Sequence, residues 1–183
     1  MVVYVDYENV RYWQKHAFSA VPNEFSAILL GELLASRRLE KSYLRSCRVY
    51  RGTPNRRLDN ERWTKQNAWL ERQTSDHRFV FVTQDMKYKR SETGHVPREK
   101  GVDVSLAIDL VMHPFRFPRC AAILLSRDED LRPALQAFVE HAEGDCPIEV
   151  ATCKPLSRLY LGHSLSPWSH YLTREDFELI RED

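Results

Sequence analysis

Short runs of consecutive apolar residues alternate along this chain with segments in which apolar residues return every three or four positions. Strands that are apolar on both faces belong to parallel sheets covered by helices on each side, so the alternation restricts the fold to a three-layer α/β/α class with a mainly parallel sheet. The predicted strands are Val2 to Val5, Leu44 to Tyr50, Arg78 to Thr83, Ala121 to Leu125 and Pro147 to Ala151. Helical spacing marks Pro22 to Ser36, Arg56 to Gln73, Val102 to Val111 and Leu131 to Val139, with Trp63 and Trp69 on a core face. The first strand is read as running into a loop at Asp6, and Gly52-Thr53-Pro54 as a turn closing the second. The polar stretch from Gln84 to Glu99 reads as a mobile loop or hairpin.

A chain of 183 residues with 43% apolar content supports one domain with an ordinary core. We place that domain at 1–153, with 154–183 as an extension packed on it; there Thr173, three residues ahead of Asp176, predicts a capped last helix from Phe177 to Ile180. Four separated cysteines without a C-x-x-C pair argue against a zinc site or a disulfide framework, and suit a reducing compartment. The apolar runs are too short to span a membrane, and the N-terminus has no leader pattern. The expectation is a soluble, cytoplasmic protein, and a homo-oligomer is compatible with the sequence.

The formal net charge of +1 hides a segregation: Arg37 to Lys100 holds 17 Lys and Arg against 8 Asp and Glu, and the remainder holds 10 against 18. One region suits a polyanion and the other supplies carboxylates. In an open α/β sheet ligands bind at the carboxyl ends of the strands. Asp6 ends the first strand there, Asp128 and Asp130 follow the fourth, and Asp103 opens the helix that enters the fourth. Converging carboxylates repel unless neutralised, and Mg²⁺ or Mn²⁺, hard cations with a preference for oxygen, would do so.

Three segments together resemble one family: Val-Asp-Tyr-Glu-Asn-Val at 5–10, Lys-Gly-Val-Asp-Val-Ser-Leu-Ala-Ile-Asp-Leu at 100–110 and Leu-Leu-Ser-Arg-Asp-Glu-Asp-Leu at 124–131. They look like the three blocks of the NYN domain, nearest its LabA-like branch, within the PIN-like nucleases. The resemblance implies a Rossmann-like fold and metal-dependent endonucleolytic hydrolysis of RNA by in-line attack of water on a phosphodiester, with Asp6, Asp103 and Asp128 as metal-binding carboxylates. Asn9, Asp130 and Asp109 match further polar positions of the blocks, although six residues of helix turn Asp109 roughly 120° from Asp103. Lys100 is a candidate to face the phosphate or steady Asp103. Arg51, Arg56, Arg57, Lys87, Lys89 and Arg90 are candidates for backbone contacts, and Tyr7, Tyr12, Trp13 and Tyr88 for stacking on unpaired bases.

In the third block Arg127 stands where the family has glycine, and Leu131 where it has an aromatic. Arg127 is therefore either a phosphate contact or a surface residue, and the alternative function is an RNA-binding or adaptor module without turnover. A receiver-like or phosphatase-like domain also gathers aspartates and a lysine at strand ends. Each aspartate taken singly reads as a turn or N-cap residue. The seven histidines show no ligand spacing, and no phosphate-binding glycine motif is present.

Overall fold

The computed structural model describes residues 1–18, 24–91, 94–142, 146–154, 156, 159 and 167–182. Its central sheet takes β1 (Val2–Asp6), β2 (Ser46–Thr53), β3 (Phe79–Asp85), β6 (Ala122–Leu125), β7 (Ile148–Cys153) and β8 (Ser169–Leu172) in the order β3-β2-β1-β6-β7-β8. Every pairing in it is parallel. The chain fills the sheet outward from β1 in one direction and then restarts beside β1 in the other, so the switch point lies between the carboxyl ends of β1 and β6.

Alternation along β1 divides the core. Val3 and Val5 join a cluster with Val10, Trp13, Leu30, Trp69 and Phe177 on one face, whereas Val2 and Tyr4 join Leu106, Leu110, Leu135 and Phe138 on the other. The first face is covered by α1 (Tyr7–Ala17), α2 (Ala27–Ser36), α3 (Asn60–Gln73) and α6 (Arg174–Leu179), and the second by α4 (Val102–Arg116) and α5 (Arg132–His141). This is the expected three-layer arrangement.

Several boundaries differ from the expectation, each for a local reason. Asp6 leads into helix α1, not a loop, because its carboxylate accepts from the Asn9 amide and caps that helix. Ser26 and Asp59 cap α2 and α3 in the same way, so these helices start at Ala27 and Asn60; positions 22–23 of the predicted first helix lie outside the described residues. The turn signal at Gly52-Thr53 is overridden by β3, which pairs alongside as far as Thr53 opposite Asp85. The basic stretch forms an antiparallel hairpin of β4 (Lys87–Ser91) and β5 (Gly94–Arg98). Helix α4 continues through Pro114 to Arg116. Strand β8, absent from the expectation, adds to the sheet through β7, and Thr173 forms a capping box with Asp176 at the start of α6. Among the described residues no helix is long and apolar enough to cross a membrane.

Trp69 anchors the first face. It is fully buried, its Nε1 donates to the Phe25 carbonyl at 2.9 Å, and Tyr7, Phe79 and Phe81 pack around its ring with centroids 5.4–6.1 Å away. Trp69→Ala should lower unfolding free energy by roughly 3–5 kcal/mol, read as a drop in denaturant midpoint at unchanged m-value; a loss well under 1 kcal/mol would show that this cluster does not hold the layer.

Candidate metal and nuclease site

At the switch point the Asp6 side chain is buried among polar partners. One of its oxygens accepts from the Asn9 backbone at 3.2 Å, and the other from Asn9 Nδ2 at 2.7 Å and Ser126 Oγ at 2.8 Å. Asn9 Oδ1 in turn accepts from the Arg127 backbone at 3.3 Å, and Ser126 Oγ accepts from the Asp128 backbone at 3.0 Å. The end of β1, the first turn of α1 and the loop after β6 are thereby tied through one carboxylate.

Around it lie further acids. Asp103 enters on the first turn of α4, directly after Gly101, whose φ of 81° turns the chain from the foot of the hairpin into that helix. The Asp103 residue is exposed, yet partial desolvation of its carboxyl, then the charges of Asp128 and Asp130, push that carboxyl above its ordinary range. Asp6 is raised to about 6, by burial first and also by Asp103, against the hydrogen bonds of Ser126 and Asn9. Asp128 caps the short turn Glu129–Leu131 through its bond from the Asp130 amide, so it has a structural task as well as its place beside Asp103.

Two members of the cluster were not among the predicted residues. Glu99, raised to about 7 by burial and by the charges of Glu8 and Asp6, accepts from the Gly52 amide at 2.6 Å. A Cβ at Gly52 would meet Glu99 Oε1 at 2.8 Å and Met86 Cγ at 2.9 Å, so a larger residue there would displace Glu99 or Met86. Glu8 was visible in the first block; Glu99 depends on a contact across 47 positions that no local pattern encodes.

Asp109 is held apart from this group. Its carboxylate accepts from Arg48 at 2.8 Å, Tyr50 at 2.7 Å and Arg116 at 2.5 Å. Burial would raise it, but the bonds from Tyr50 and Arg48 prevail and hold it below the usual carboxylate range, as a strut between α4 and β2. Arg51 is not a surface cation: it is 7% exposed and stacks with its guanidinium carbon 3.9 Å over the Tyr7 ring. Tyr7 and Trp13 are buried and unavailable for stacking on bases, whereas Tyr12 is half exposed beside His16. Tyr88 is half buried, with its hydroxyl accepting from the Asn55 amide. Lys87, Lys89, Arg90 and Lys100 are exposed, as are Arg56 and Arg57, with Arg56 lying over a half-buried Trp63.

A sequence profile of the NYN domain matches residues 1–143. The chain belongs to the NYN domain family. Its fold is therefore of the nuclease type found in the PIN-like superfamily. No curated protein matches this NYN chain in sequence. A solved structure of a protein of unknown function from Vibrio parahaemolyticus is similar to it in fold, with a TM-score of 0.58 and 15% identity over 96% of this chain and 93% of the other.

The two departures in the third NYN block are absorbed by this structure. Arg127 occupies its position without a positive φ, the only described non-glycine residue with one being Arg119, and its charge acts on Cys153 at the end of β7. Leu131 is 2% exposed and fills the second core where an aromatic would.

Among the described residues no three His, Cys, Asp or Glu side chains form a group that could hold an ion by themselves. The side chains gathered here, Asp6, Asp103 and Asp128 with Asn9 and Ser126, carry oxygen donors of the kind a hard divalent cation takes, Mg²⁺ being ordinarily held by one or two carboxylates with water completing its shell.

Without metal, carboxyls raised in the folded state bind protons more tightly there than in the unfolded chain, so stability falls as pH rises from about 4 through the folded values of about 6 and 7. His113, lowered by burial, acts in the opposite sense below its ordinary 6.5, so the informative quantity is a difference between proteins. In EDTA the stability of Asp6→Asn relative to wild type should rise between about pH 4 and 7, measured by chemical denaturation; a difference that stays flat or falls would contradict the burial of this charge.

Proposed function

We propose that this NYN domain is a divalent-metal-dependent endoribonuclease in which Asp6, Asp103 and Asp128 hold Mg²⁺ or Mn²⁺. The observation that carries the reading is the gathering of carboxylates from β1, α4 and the loop after β6, with Asp6 and Asp128 tied through Ser126, at the switch point where an open sheet binds its ligand. Such a gathering disfavours the bare site and favours it with a cation.

The placement of the residues supports a role for each. Asn9 and Ser126 fix the orientation of the Asp6 carboxylate, and Asp130 adds negative charge beside Asp103. Glu99 and Glu8 extend the acidic surface toward β2. A bound cation would lower the pKa of the attacking water and stabilise charge on the leaving oxygen. Lys100 and the hairpin residues Lys87 and Lys89 supply cations for the phosphate backbone of RNA, giving an affinity that falls with salt and does not depend on sequence.

Purified protein should cut single-stranded RNA in Mg²⁺ or Mn²⁺. Asp6→Asn, Asp103→Asn or Asp128→Asn should each slow the cut by roughly 10²–10³-fold, the scale of losing one preorganised electrostatic group. Asp109→Asn should lower thermal stability and leave the rate per folded molecule unchanged. Cleavage that persists in the Asp6, Asp103 and Asp128 triple variant would remove the proposed site, and tight RNA binding with no cleavage in either metal would transfer the fold to the adaptor reading.

A further inference from the structure

The three carboxylates at the switch point are useful only if the backbone beneath each is held still. Asp6 caps α1 and accepts from Ser126 Oγ; Asp128 caps the turn Glu129–Leu131, and its amide donates to the same Ser126 oxygen. Asp103 stands on a helix start without such a hold. Helices α1, α2, α3 and α6 begin on Asp6, Ser26, Asp59 and Thr173, whose side chains each accept a backbone amide of the first turn. Helix α4 begins on Gly101, which has no side chain to do so and a φ of 81°. An uncapped first turn frays, and a glycine ahead of it gives the chain its widest choice of backbone angles.

The tie that this turn lacks lies two residues further back. Glu99 accepts from the Gly52 amide at 2.6 Å, and the adjoining Thr53 carbonyl accepts from the Met86 amide at 2.9 Å. Both legs of the hairpin, the one leaving β3 and the one returning to α4, are thus fastened to consecutive residues at the end of β2. The returning leg bears on Asp103, since only Lys100, Gly101 and Val102 separate it from Glu99. Burial first, and also the charges of Glu8 and Asp6, disfavour a charged carboxyl at Glu99, whereas an acceptor oxygen there meets the Gly52 amide whatever its charge.

We infer that Glu99 is a positioning residue of the acidic centre: its bond to Gly52 fixes the start of α4 on β2 and so holds Asp103 beside the other carboxylates. It acts through the backbone, touching neither metal nor substrate. The inference rests on the nuclease reading for the use made of Asp103, not for how Asp103 is held.

The test is amide hydrogen exchange on the full chain in EDTA, followed by Mn²⁺ calorimetry and by cleavage of single-stranded RNA in Mn²⁺. Glu99→Ala should speed exchange about tenfold or more at Gly52 and at Ser105, whose amide bonds to the Gly101 carbonyl, the scale of losing a hydrogen bond to an ionisable group. Exchange at Val5, in the middle of the sheet, should not change. Mn²⁺ binding should weaken by roughly 10–100-fold, the scale of losing a group that supports a metal ligand, and kcat should fall with little change in KM, because the hairpin cations remain. Glu99→Gln, which accepts the same bond, should recover the exchange pattern, the Mn²⁺ affinity and kcat together. Unchanged exchange at Ser105 in Glu99→Ala, or equal acceleration at Val5, would overturn the inference. So would Glu99→Gln that recovers exchange but binds Mn²⁺ as poorly as Glu99→Ala, since the charge itself would then be in use. A wild-type chain that neither binds Mn²⁺ nor cuts RNA defeats the nuclease reading alone, and the exchange pattern then decides the role of Glu99. Full Mn²⁺ affinity and cleavage in Glu99→Ala do the reverse.

Discussion

Asp6 has to keep a carboxylate buried at the one place where three chain segments meet. Removing that charge from water is unfavourable, and the hydroxyl of Ser126 with the backbone and side-chain amides of Asn9 offset only part of the cost, so the group stays raised to about 6. What those bonds secure is position. Ser126 fixes the loop after β6 against β1, Asn9 fixes α1 and passes a bond to the Arg127 backbone, and the same Ser126 oxygen receives the Asp128 amide. The charge of the site and the geometry of the switch point are thus one constraint: a change that loosens the Asp6 clamp also misplaces Asp128.

The elements that define the fold were legible in the sequence because their signals are local. Consecutive apolar residues at Val2 to Val5 and Ala121 to Leu125 announce strands buried on both faces, and Thr173 with Asp176 announces a cap. Helix α1 was missed although Tyr7, Val10, Trp13 and Gln14 form its buried face at helical spacing: the strand was read as running into a loop at Asp6, and Tyr7 and Trp13 as free to stack on bases. Strand β8 and the placing of Glu99 had no local signal. The first pairs along the edge of β7, and the second is set by the Gly52 amide of β2, 47 positions away in sequence.

Asp103 and Asp109 show how far spacing carries. They share a helix and a family block, but their angular separation on α4 points them at different surroundings. Asp103 faces other acids, whereas Asp109 faces the side of β2 where Arg48 and Tyr50, two residues apart, project together. The periodicity was enough to separate the two aspartates; identifying the partners of Asp109 required knowing that β2 lies beneath α4.

The hairpin resolves the charge segregation of the sequence into geometry. Its register places Lys87 opposite Arg98 and Lys89 opposite Val96, so these cations share one face of the ribbon, while Tyr88 and Arg90 share the other with Pro97 and His95. The Asn55 amide bonds to the Tyr88 hydroxyl and secures that second face to the loop after β2, and the lysine face stays exposed. The hairpin leaves from the carboxyl end of β3 and returns through Glu99, which belongs to the acidic cluster. On the proposed reading, a basic arm whose returning strand ends in the acidic centre would bring the phosphates of RNA up to the carboxylates. The net charge of only +1 therefore conceals two surfaces of opposite sign, basic along the hairpin and acidic at the switch point, whose attraction and repulsion act at separate places.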